Sequence, residues 1–173
     1  MEIHQTTLKR NGFFPNNPQL PVLLYKKALQ LPDHKPEETV QQLFEENNWG
    51  NTWVNGIYSY HHYHSNTHEV LGIICGQCSV ILGGEHGTVY ELTKGDVLII
   101  PAGVAHKSIY TSDDFICVGG YPGGKDYDIN YGRADEHPRV DINSKQVPVP
   151  ETDPVQGREG ILFDYWKDKV PNR

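Results

Sequence analysis

The feature that most constrains the fold is a regular alternation of short apolar segments with clusters of turn-forming residues along the middle of the chain. The segments are rich in β-branched and aromatic residues, and the turns are rich in Gly, Asn, Asp and Ser. We predict strands near residues 53–64, 69–75, 78–82, 88–92, 97–101, 106–111 and 115–121. Because many short, evenly spaced strands are typical of a sandwich or barrel, we predict an all-β chain of jelly-roll type.

Histidines and one glutamate lie close to the ends of these predicted strands. His62 and His64 are two residues apart, and side chains at i and i+2 of a strand point to the same face. A turn at Ser65–Thr67 would bring the carboxylate of Glu69 back towards the two imidazoles. Further along the chain, His106 opens another strand after a Pro/Gly turn. The first stretch indicates one half of a metal site, and His106 indicates its partner.

The two stretches together resemble the paired motifs of the cupin superfamily (RmlC-like). The first motif, G-x5-H-x-H-x4-E-x6-G, falls without insertion on Gly56, His62, His64, Glu69 and Gly76. The second, G-x5-P-x-G-x2-H-x3-N, falls on Gly95, Pro101, Gly103 and His106, and its last position is Tyr110 instead of Asn. The whole chain also resembles small uncharacterised single-domain cupins of the YjlB-like group.

The resemblance covers roughly residues 50–121 and implies a double-stranded β-helix barrel with one metal ion inside. It implies His62, His64, Glu69 and His106 as the metal ligands. Three imidazoles and a carboxylate suit a divalent transition ion such as Fe, Mn, Ni, Co, Cu or Zn. Four protein ligands would leave about two positions of an octahedral ion open, as a catalytic site requires. The alternative is a barrel in which these side chains only hydrogen-bond one another.

Strand alternation predicts which other side chains face the barrel interior beside the metal ligands. They are Tyr58, Tyr60, Leu71, Ile73, Ser108 and Tyr110. We predict that they line a substrate pocket that is part apolar with a few hydroxyls, as small-molecule sites usually are. Tyr110 replaces the Asn of the cupin motif, and it is either a hydrogen-bond donor or acid to a ligand or a plug that narrows the cavity.

The other histidines are predicted to lie outside the site. His61 and His68 fall on the opposite face of regular strands. A one-residue slip would reverse the faces and allow either to act as a ligand, with His68 in place of Glu69. We expect His86, in a Gly-rich hairpin loop, to be solvated. Surface positions are expected for His4, His34 and His137.

The segments outside the barrel are expected to be less regular, apart from one helix. Pro36 suits the first helical turn, and Val40, Leu43 and Phe44 recur at helical spacing. We therefore predict a helix over 36–48 that packs on the outside of the barrel. The segment between Pro18 and Pro21, which continues to Val22, is expected to be an edge strand or an extended arm. Tyr25–Leu31 is expected to form a brief helical turn.

We predict that residues 1–173 form a single cupin domain. Its parts would be an N-terminal arm and helix (1–50), the barrel with both motifs (51–121) and a C-terminal wrap (122–173). The wrap is rich in Pro, Gly, Asp and Asn, but its tyrosines and the apolar cluster at 161–166 are anchors that disordered segments usually lack. We expect a mostly irregular wrap, with a short strand near 160–166.

Composition and charge exclude several classes of protein. The net charge of −7 and the absence of a Lys/Arg stripe argue against nucleic-acid binding. The longest apolar run, Val97–Ile100, is too short to cross a membrane, and no signal peptide is indicated at the N-terminus. Three cysteines are too few for a disulfide framework, and Cys75 and Cys78 are expected to be ordinary thiols flanking a turn. These features predict a cytoplasmic protein, and the resemblance implies a homodimer.

Three functions are compatible with this sequence, since function depends on the site and not on the fold. The first is a metal-dependent enzyme of the dioxygenase type that acts on a small molecule in the barrel. The second is a binding or sensing protein that captures a small molecule without turning it over. The third is a sugar-phosphate isomerase or epimerase, which would need basic residues in the pocket, and Lys107 falls on the wrong face.

Overall fold

Antiparallel strands dominate the computed structural model, which describes residues 1–166. The strands are β1 (Glu2–Leu8), β2 (Asn17–Lys26), β3 (Trp49–Asn55), β4 (Glu69–Cys75), β5 (Gln77–Leu82), β6 (Thr88–Thr93), β7 (Val97–Ile100), β8 (His106–Thr111) and β9 (Ile116–Pro122). One sheet has the order β1-β2-β7-β4-β9-β3, and the other has the order β6-β5-β8. The predicted all-β jelly-roll fold is confirmed.

Alternation along the strands of the large sheet separates two apolar layers. In β4, Leu71 and Ile73 point into the barrel, where they pack with β5 residues such as Val80. Val70 and Ile74 point outward, into a layer shared with the helices. The central strands β4 and β7 are therefore apolar on both faces, which explains their continuous runs of Val, Ile and Leu.

The predicted helix is confirmed as α1 (Pro36–Glu46), which packs on the outside of the barrel. Pro36 stands in its first turn, and the buried face carries Val40 and Phe44. The helix lies so close to the sheet that a Cβ on Gly72 of β4 would lie 3.0 Å from the Phe44 ring. A larger residue at position 72 would therefore push α1 away from the sheet.

The N-terminal arm is more regular than predicted. β2 is an inner strand that lies between β1 and β7, so the expectation of an edge strand was wrong. Tyr25 belongs to β2 and no helix lies between Lys27 and Leu31, so the predicted helical turn was wrong. Val22 is buried in the interior of the barrel, because β2 completes the sheet of its own chain.

The described part of the C-terminal wrap contains a 3-10 turn (Ala134–Glu136), α2 (Arg139–Gln146) and α3 (Leu162–Trp166). The predicted strand near 160–166 was wrong, because Leu162 and Trp166 are one helical turn apart and both face the outer apolar layer. The indole N–H of Trp166 donates to the carbonyl of Pro21, which attaches α3 to β2. Residues 167–173 of the predicted wrap lie outside the described residues. No described helix is both long and apolar enough to cross a membrane.

Candidate metal centre

Four polar side chains meet inside the barrel where the two sheets come together. His62 and His64 lie in the segment between β3 and β4, Glu69 opens β4 and His106 opens β8. His62 is held opposite His106 by reciprocal backbone hydrogen bonds of 3.2 and 2.9 Å. One ring nitrogen from each of the three histidines lies within 4.8 Å of the other two. All four side chains are almost completely buried.

The three imidazoles are oriented in the same way, through hydrogen bonds to backbone carbonyls. Nδ1 of His62 lies 3.0 Å from the carbonyl oxygen of Tyr60. Nδ1 of His64 lies 2.5 Å from the carbonyl oxygen of Asp128, and Nδ1 of His106 lies 3.0 Å from that of Val104. A carbonyl oxygen only accepts hydrogen bonds, so each Nδ1 must carry the proton. In the neutral rings, Nε2 is then left with a free lone pair, which is the form that ligates metals.

The carboxylate of Glu69 lies between two of these rings. Its Oε1 is 3.1 Å from His106 Nε2, and its Oε2 is 3.3 Å from His64 Nε2. Although it is buried, His106 Nε2 makes no hydrogen bond within the described part of the chain. Buried polar atoms are nearly always paired, so an unpaired lone pair facing a carboxylate and two other imidazoles indicates a place for a cation. The donor set therefore fits a divalent transition ion.

For His62 and Glu69, the surroundings favour the protonation state of a metal ligand. Burial lowers the pKa of His62 to about 3, and the neighbouring His106 adds to this effect. Burial alone would raise the pKa of Glu69, but the imidazoles of His64 and His106 outweigh it and hold that pKa well below its usual range. Burial alone would lower the pKa of His64, but the neighbouring Glu69 carboxylate outweighs this and raises it. His62 is thus neutral and Glu69 ionised at neutral pH.

A cavity of about 300 Å³ opens from these four residues towards the surface. Besides the four, its lining consists of Trp53, Val54, Asn55, Gly56, Ile57, Tyr58, Leu71, Tyr121 and Tyr127. The lining is mostly aromatic and aliphatic, with hydroxyl groups supplied by tyrosines. A cavity of this size and character suits a small organic molecule.

Of the six predicted pocket residues, Tyr58 and Leu71 line the cavity. Ile73 points into the barrel as predicted but is packed deeper in the apolar core. Ser108 is buried outside the cavity lining, where its hydroxyl donates to the backbone carbonyls of Ile57 and Tyr58. Alternation therefore gave the correct face for these side chains but not their depth.

Tyr60 and Tyr110 lie outside the cavity lining, and the reason is backbone irregularity. The predicted strand 53–64 ends at Asn55, and bends at Ser59 and Tyr60 interrupt the alternation that was expected to continue to His62. In β8, Ser108 pairs with Val80 and Tyr110 pairs with Ser79, so a β-bulge inserts one extra residue between them. The side chain of Tyr110 is turned outward and is 54% exposed. It is therefore not placed to donate a hydrogen bond to a ligand in the cavity or to narrow the cavity.

Three aromatic residues of the cavity were not predicted. Trp53 lies in β3, Tyr121 in β9 and Tyr127 in the C-terminal wrap. Tyr121 shares the inner face of β9 with Cys117, so alternation along that predicted strand offered a signal for it. Tyr127 stacks on Tyr121 at 4.7 Å between ring centroids, and no local sequence pattern indicates that contact.

The other histidines lie away from the four-residue group. His68 is completely buried on the outer side of the sheet, where Nδ1 accepts from the Ala102 N–H and Nε2 lies 3.0 Å from the Pro148 carbonyl. No register slip exchanges His68 with Glu69.

His61 faces Glu85 at 3.3 Å. His86, His4 and His34 are exposed as expected, but His137 is mostly buried beside Asp141, so its assignment to the surface was wrong.

The cysteines follow the prediction. Cys75 and Cys78 flank a turn at Gly76, where φ is +72° and a Cβ would lie 2.5 Å from the Ser112 hydroxyl oxygen. Only glycine fits that turn without strain. These two thiols and Cys117 are free.

The chain is similar in sequence to known proteins. The family model described as "Cupin domain" matches residues 52–118. An uncharacterised protein of Bacillus subtilis (strain 168), YjlB, is 36% identical over 156 residues, which make up 90% of this chain and 92% of the relative. The similarity to this relative therefore extends well beyond the two motifs.

Solved structures with similar folds are more distant. A DUF861 family protein from Thermotoga maritima is 22% identical with a TM-score of 0.38, over 58% of this chain and 98% of that one. A TDP-quinovose 3,4-ketoisomerase from Campylobacter jejuni is 19% identical with a TM-score of 0.42, over 51% and 74%. Acireductone dioxygenase from Bacillus anthracis, with a cadmium ion in its active centre, is 16% identical with a TM-score of 0.40, over 58% and 77%.

Proposed function

We propose that this chain, which belongs to the cupin superfamily, is a metal-dependent enzyme of the dioxygenase type that acts on a small molecule in its barrel. The proposed ligands of the single divalent ion are His62, His64, Glu69 and His106. The observation that carries the proposal is the common orientation of the three imidazoles. Each has its Nδ1 proton held by a backbone carbonyl, and each offers Nε2 to the same small volume.

The alternative of a purely structural polar cluster fits these contacts less well. A structural cluster would be expected to complete its hydrogen bonds, since an unpaired buried polar atom costs about 1–3 kcal/mol. His106 Nε2 is buried without such a bond among the described residues. When bound, a redox-active ion would supply the electron-transfer chemistry that amino-acid side chains lack.

The cavity favours oxygenation over isomerisation. Once the four ligands are assigned, the ionisable groups left among the lining residues are tyrosine hydroxyls. Burial raises the pKa of Tyr121 and of Tyr127, so these hydroxyls remain protonated at neutral pH. The lining thus holds no spare general base, which a proton-transferring isomerase would need. It also contains no Lys or Arg to bind a phosphate.

The same residues indicate the class of substrate. Trp53, Tyr58, Tyr121 and Tyr127 offer aromatic surface, while Ile57 and Leu71 offer aliphatic surface. We propose a small, mainly apolar or aromatic molecule that carries oxygen donor atoms for the metal. The protein residues would bind and orient its apolar part and exclude water around it.

Binding without turnover is the second candidate, because the absence of a general base from the cavity lining is equally compatible with it. A sensing or storage role would use the same metal site and the same aromatic walls. Ligand binding without any oxygen consumption by the metal-loaded protein would distinguish this role from catalysis.

Elemental analysis of protein purified without a metal-affinity tag tests the proposal. We expect near-stoichiometric Fe, Mn, Ni, Co or Cu in the wild type and its loss in His62→Ala/His106→Ala. The matched control is His4→Ala/His34→Ala, which removes two exposed histidines and should keep the metal.

Oxygen consumption by the metal-loaded protein with a panel of small aromatic and hydroxy-carbonyl compounds then tests catalysis. Uptake that disappears in His62→Ala supports the dioxygenase proposal. Zinc as the only bound metal would contradict the redox chemistry, and no metal even after reconstitution would contradict the metal site.

A further inference from the structure

A chain of two hydrogen bonds leads from β3 to the carboxylate of Glu69. The indole N–H of Trp53 lies 2.8 Å from the hydroxyl oxygen of Tyr121, and this hydroxyl lies 2.8 Å from Glu69 Oε2. Tyr121 is almost completely buried. Neither Trp53 nor Tyr121 belongs to the two cupin motifs, since Trp53 precedes the first motif and Tyr121 follows the second.

The direction of this chain follows from the chemistry of the three groups. An indole N–H can only donate, and an ionised carboxylate can only accept. The Tyr121 hydroxyl must therefore accept from Trp53 and donate its own proton to Glu69. Because the hydroxyl oxygen accepts from Trp53, the hydroxyl hydrogen is directed towards the carboxylate of Glu69.

Local packing explains why Trp53 can reach this position. Trp53 pairs with Gly119 across β3 and β9, and a Cβ on Gly119 would lie only 2.1 Å from the indole ring. The glycine leaves the space that the indole of Trp53 occupies over β9. Tyr121 follows two residues later on the same face of the strand. The side chain of Tyr121 is covered in turn by Tyr127, with 4.7 Å between the ring centroids.

We propose that Tyr121, oriented by Trp53, is a positioning residue that sets how Glu69 binds the metal; this inference rests on the proposed function. The Tyr121 hydroxyl donates to Oε2 of Glu69, so we assign Oε1, which faces His106 Nε2 at 3.1 Å, to the ion. Glu69 is the single anionic member of the ligand set. Its orientation therefore controls the charge that the ion meets, and partners of this kind typically change metal affinity 10–100-fold.

Titration with Co²⁺ tests this inference, because Co²⁺ reports its ligand geometry in the visible absorption spectrum. We expect Tyr121→Phe to bind Co²⁺ at least about tenfold more weakly than the wild type and to show a shifted absorption spectrum. Trp53→Phe keeps the Tyr121 hydroxyl but removes its orienting donor, so we expect a smaller change in the same direction.

Tyr25→Phe is the matched control. Tyr25 is also a buried tyrosine that donates to a carboxylate, at 2.7 Å to Asp153, but it lies in the outer layer of the large sheet. This variant should lose stability and yet titrate with Co²⁺ as the wild type does, with the same spectrum. A shift in both tyrosine variants would show a general effect of lost stability and would overturn the inference.

The failures of the two proposals are distinguishable. If the wild type binds Co²⁺ and Tyr121→Phe keeps its affinity and spectrum, the positioning role is wrong and the metal site stands. If the wild type binds neither Co²⁺ nor another divalent transition ion, the metal site itself is wrong, and the positioning role falls with it.

Discussion

The interior of the barrel and the outer layer on the large sheet use buried histidines in different ways. His68, on the outer side, has partners for both ring nitrogens: the Ala102 N–H and the Pro148 carbonyl. His106, inside the barrel, is buried to a similar degree, but only its Nδ1 has a hydrogen bond within the described residues. Complete hydrogen bonding stabilises a fold, whereas an incomplete set of partners is expected where a ligand supplies the missing one.

Two buried carboxylates repeat this contrast. Glu136, in the wrap, accepts from the Tyr63 hydroxyl and from the backbone N–H groups of Tyr131, Gly132 and Arg133. Glu69, in the barrel, accepts one hydrogen bond, from Tyr121, and otherwise faces imidazoles. Glu136 is therefore a structural group, as His68 is, whereas Glu69 and His106 both have incomplete sets of hydrogen-bond partners.

The largest effect is expected for His68→Leu. The substitution removes two hydrogen bonds and leaves the buried N–H of Ala102 without its acceptor, so we expect the free energy of unfolding to fall by about 3 kcal/mol. Chemical denaturation with urea measures this loss. The metal content of the folded variant should equal that of the wild type, because His68 lies outside the ligand group.

His106→Leu is the matched control for that experiment. It breaks one hydrogen bond but also removes an unpaired buried nitrogen, so we expect the metal-free protein to lose only about 1 kcal/mol. Added metal should raise the melting temperature of the wild type and leave that of His106→Leu unchanged. Equal destabilisation of the two metal-free variants would show that the contrast between the barrel interior and the outer layer is wrong.

A smaller, pH-dependent effect is expected for Glu136→Gln. Burial alone would raise the pKa of Glu136, but its backbone and tyrosine hydrogen bonds outweigh this and lower it. Its stabilisation is therefore present above the unfolded pKa of about 4.3 and is lost as the pH falls through the folded-state pKa. We expect Glu136→Gln to cost about 1.5 kcal/mol at neutral pH.

Urea denaturation between about pH 7 and pH 3 measures this dependence. The wild type should lose stability more steeply than the variant below about pH 4.5, so that the two curves converge in acid. Parallel curves over the whole range would show that the hydrogen bonds of Glu136 do not favour its ionised form.

The smallest effect is expected for Tyr110→Thr, at the position where this chain departs from the cupin motif. Because the side chain is exposed beyond the β-bulge of β8, we expect a change in stability within about 0.5 kcal/mol. Elemental analysis and urea denaturation should both give wild-type values. A loss of bound metal would assign Tyr110 to the site and contradict the outward orientation.

Much of the barrel and the group of four proposed ligands could be predicted from the sequence. β4 and β8 have the bounds that were predicted, and the other strands predicted between residues 78 and 121 differ by one or two residues. The segment 53–64 and the N-terminal strands β1 and β2 were not predicted correctly. The spacing of His62, His64 and Glu69 placed these residues together because the intervening turn is short. Their protonated nitrogens, by contrast, were identified from the backbone carbonyls that they contact.

The walls of the cavity were decided by tertiary structure. Tyr60 and Tyr110 leave the predicted face because bends and a bulge interrupt the alternation, and these irregularities depend on pairing with distant segments. Trp53 and Tyr121 meet only when β3 pairs with β9, and Tyr127 joins them from the wrap. Sequence patterns report the period of a local backbone, so they identify residues that share one strand face. They do not report which strands or loops close over that face, because this depends on packing of the whole chain.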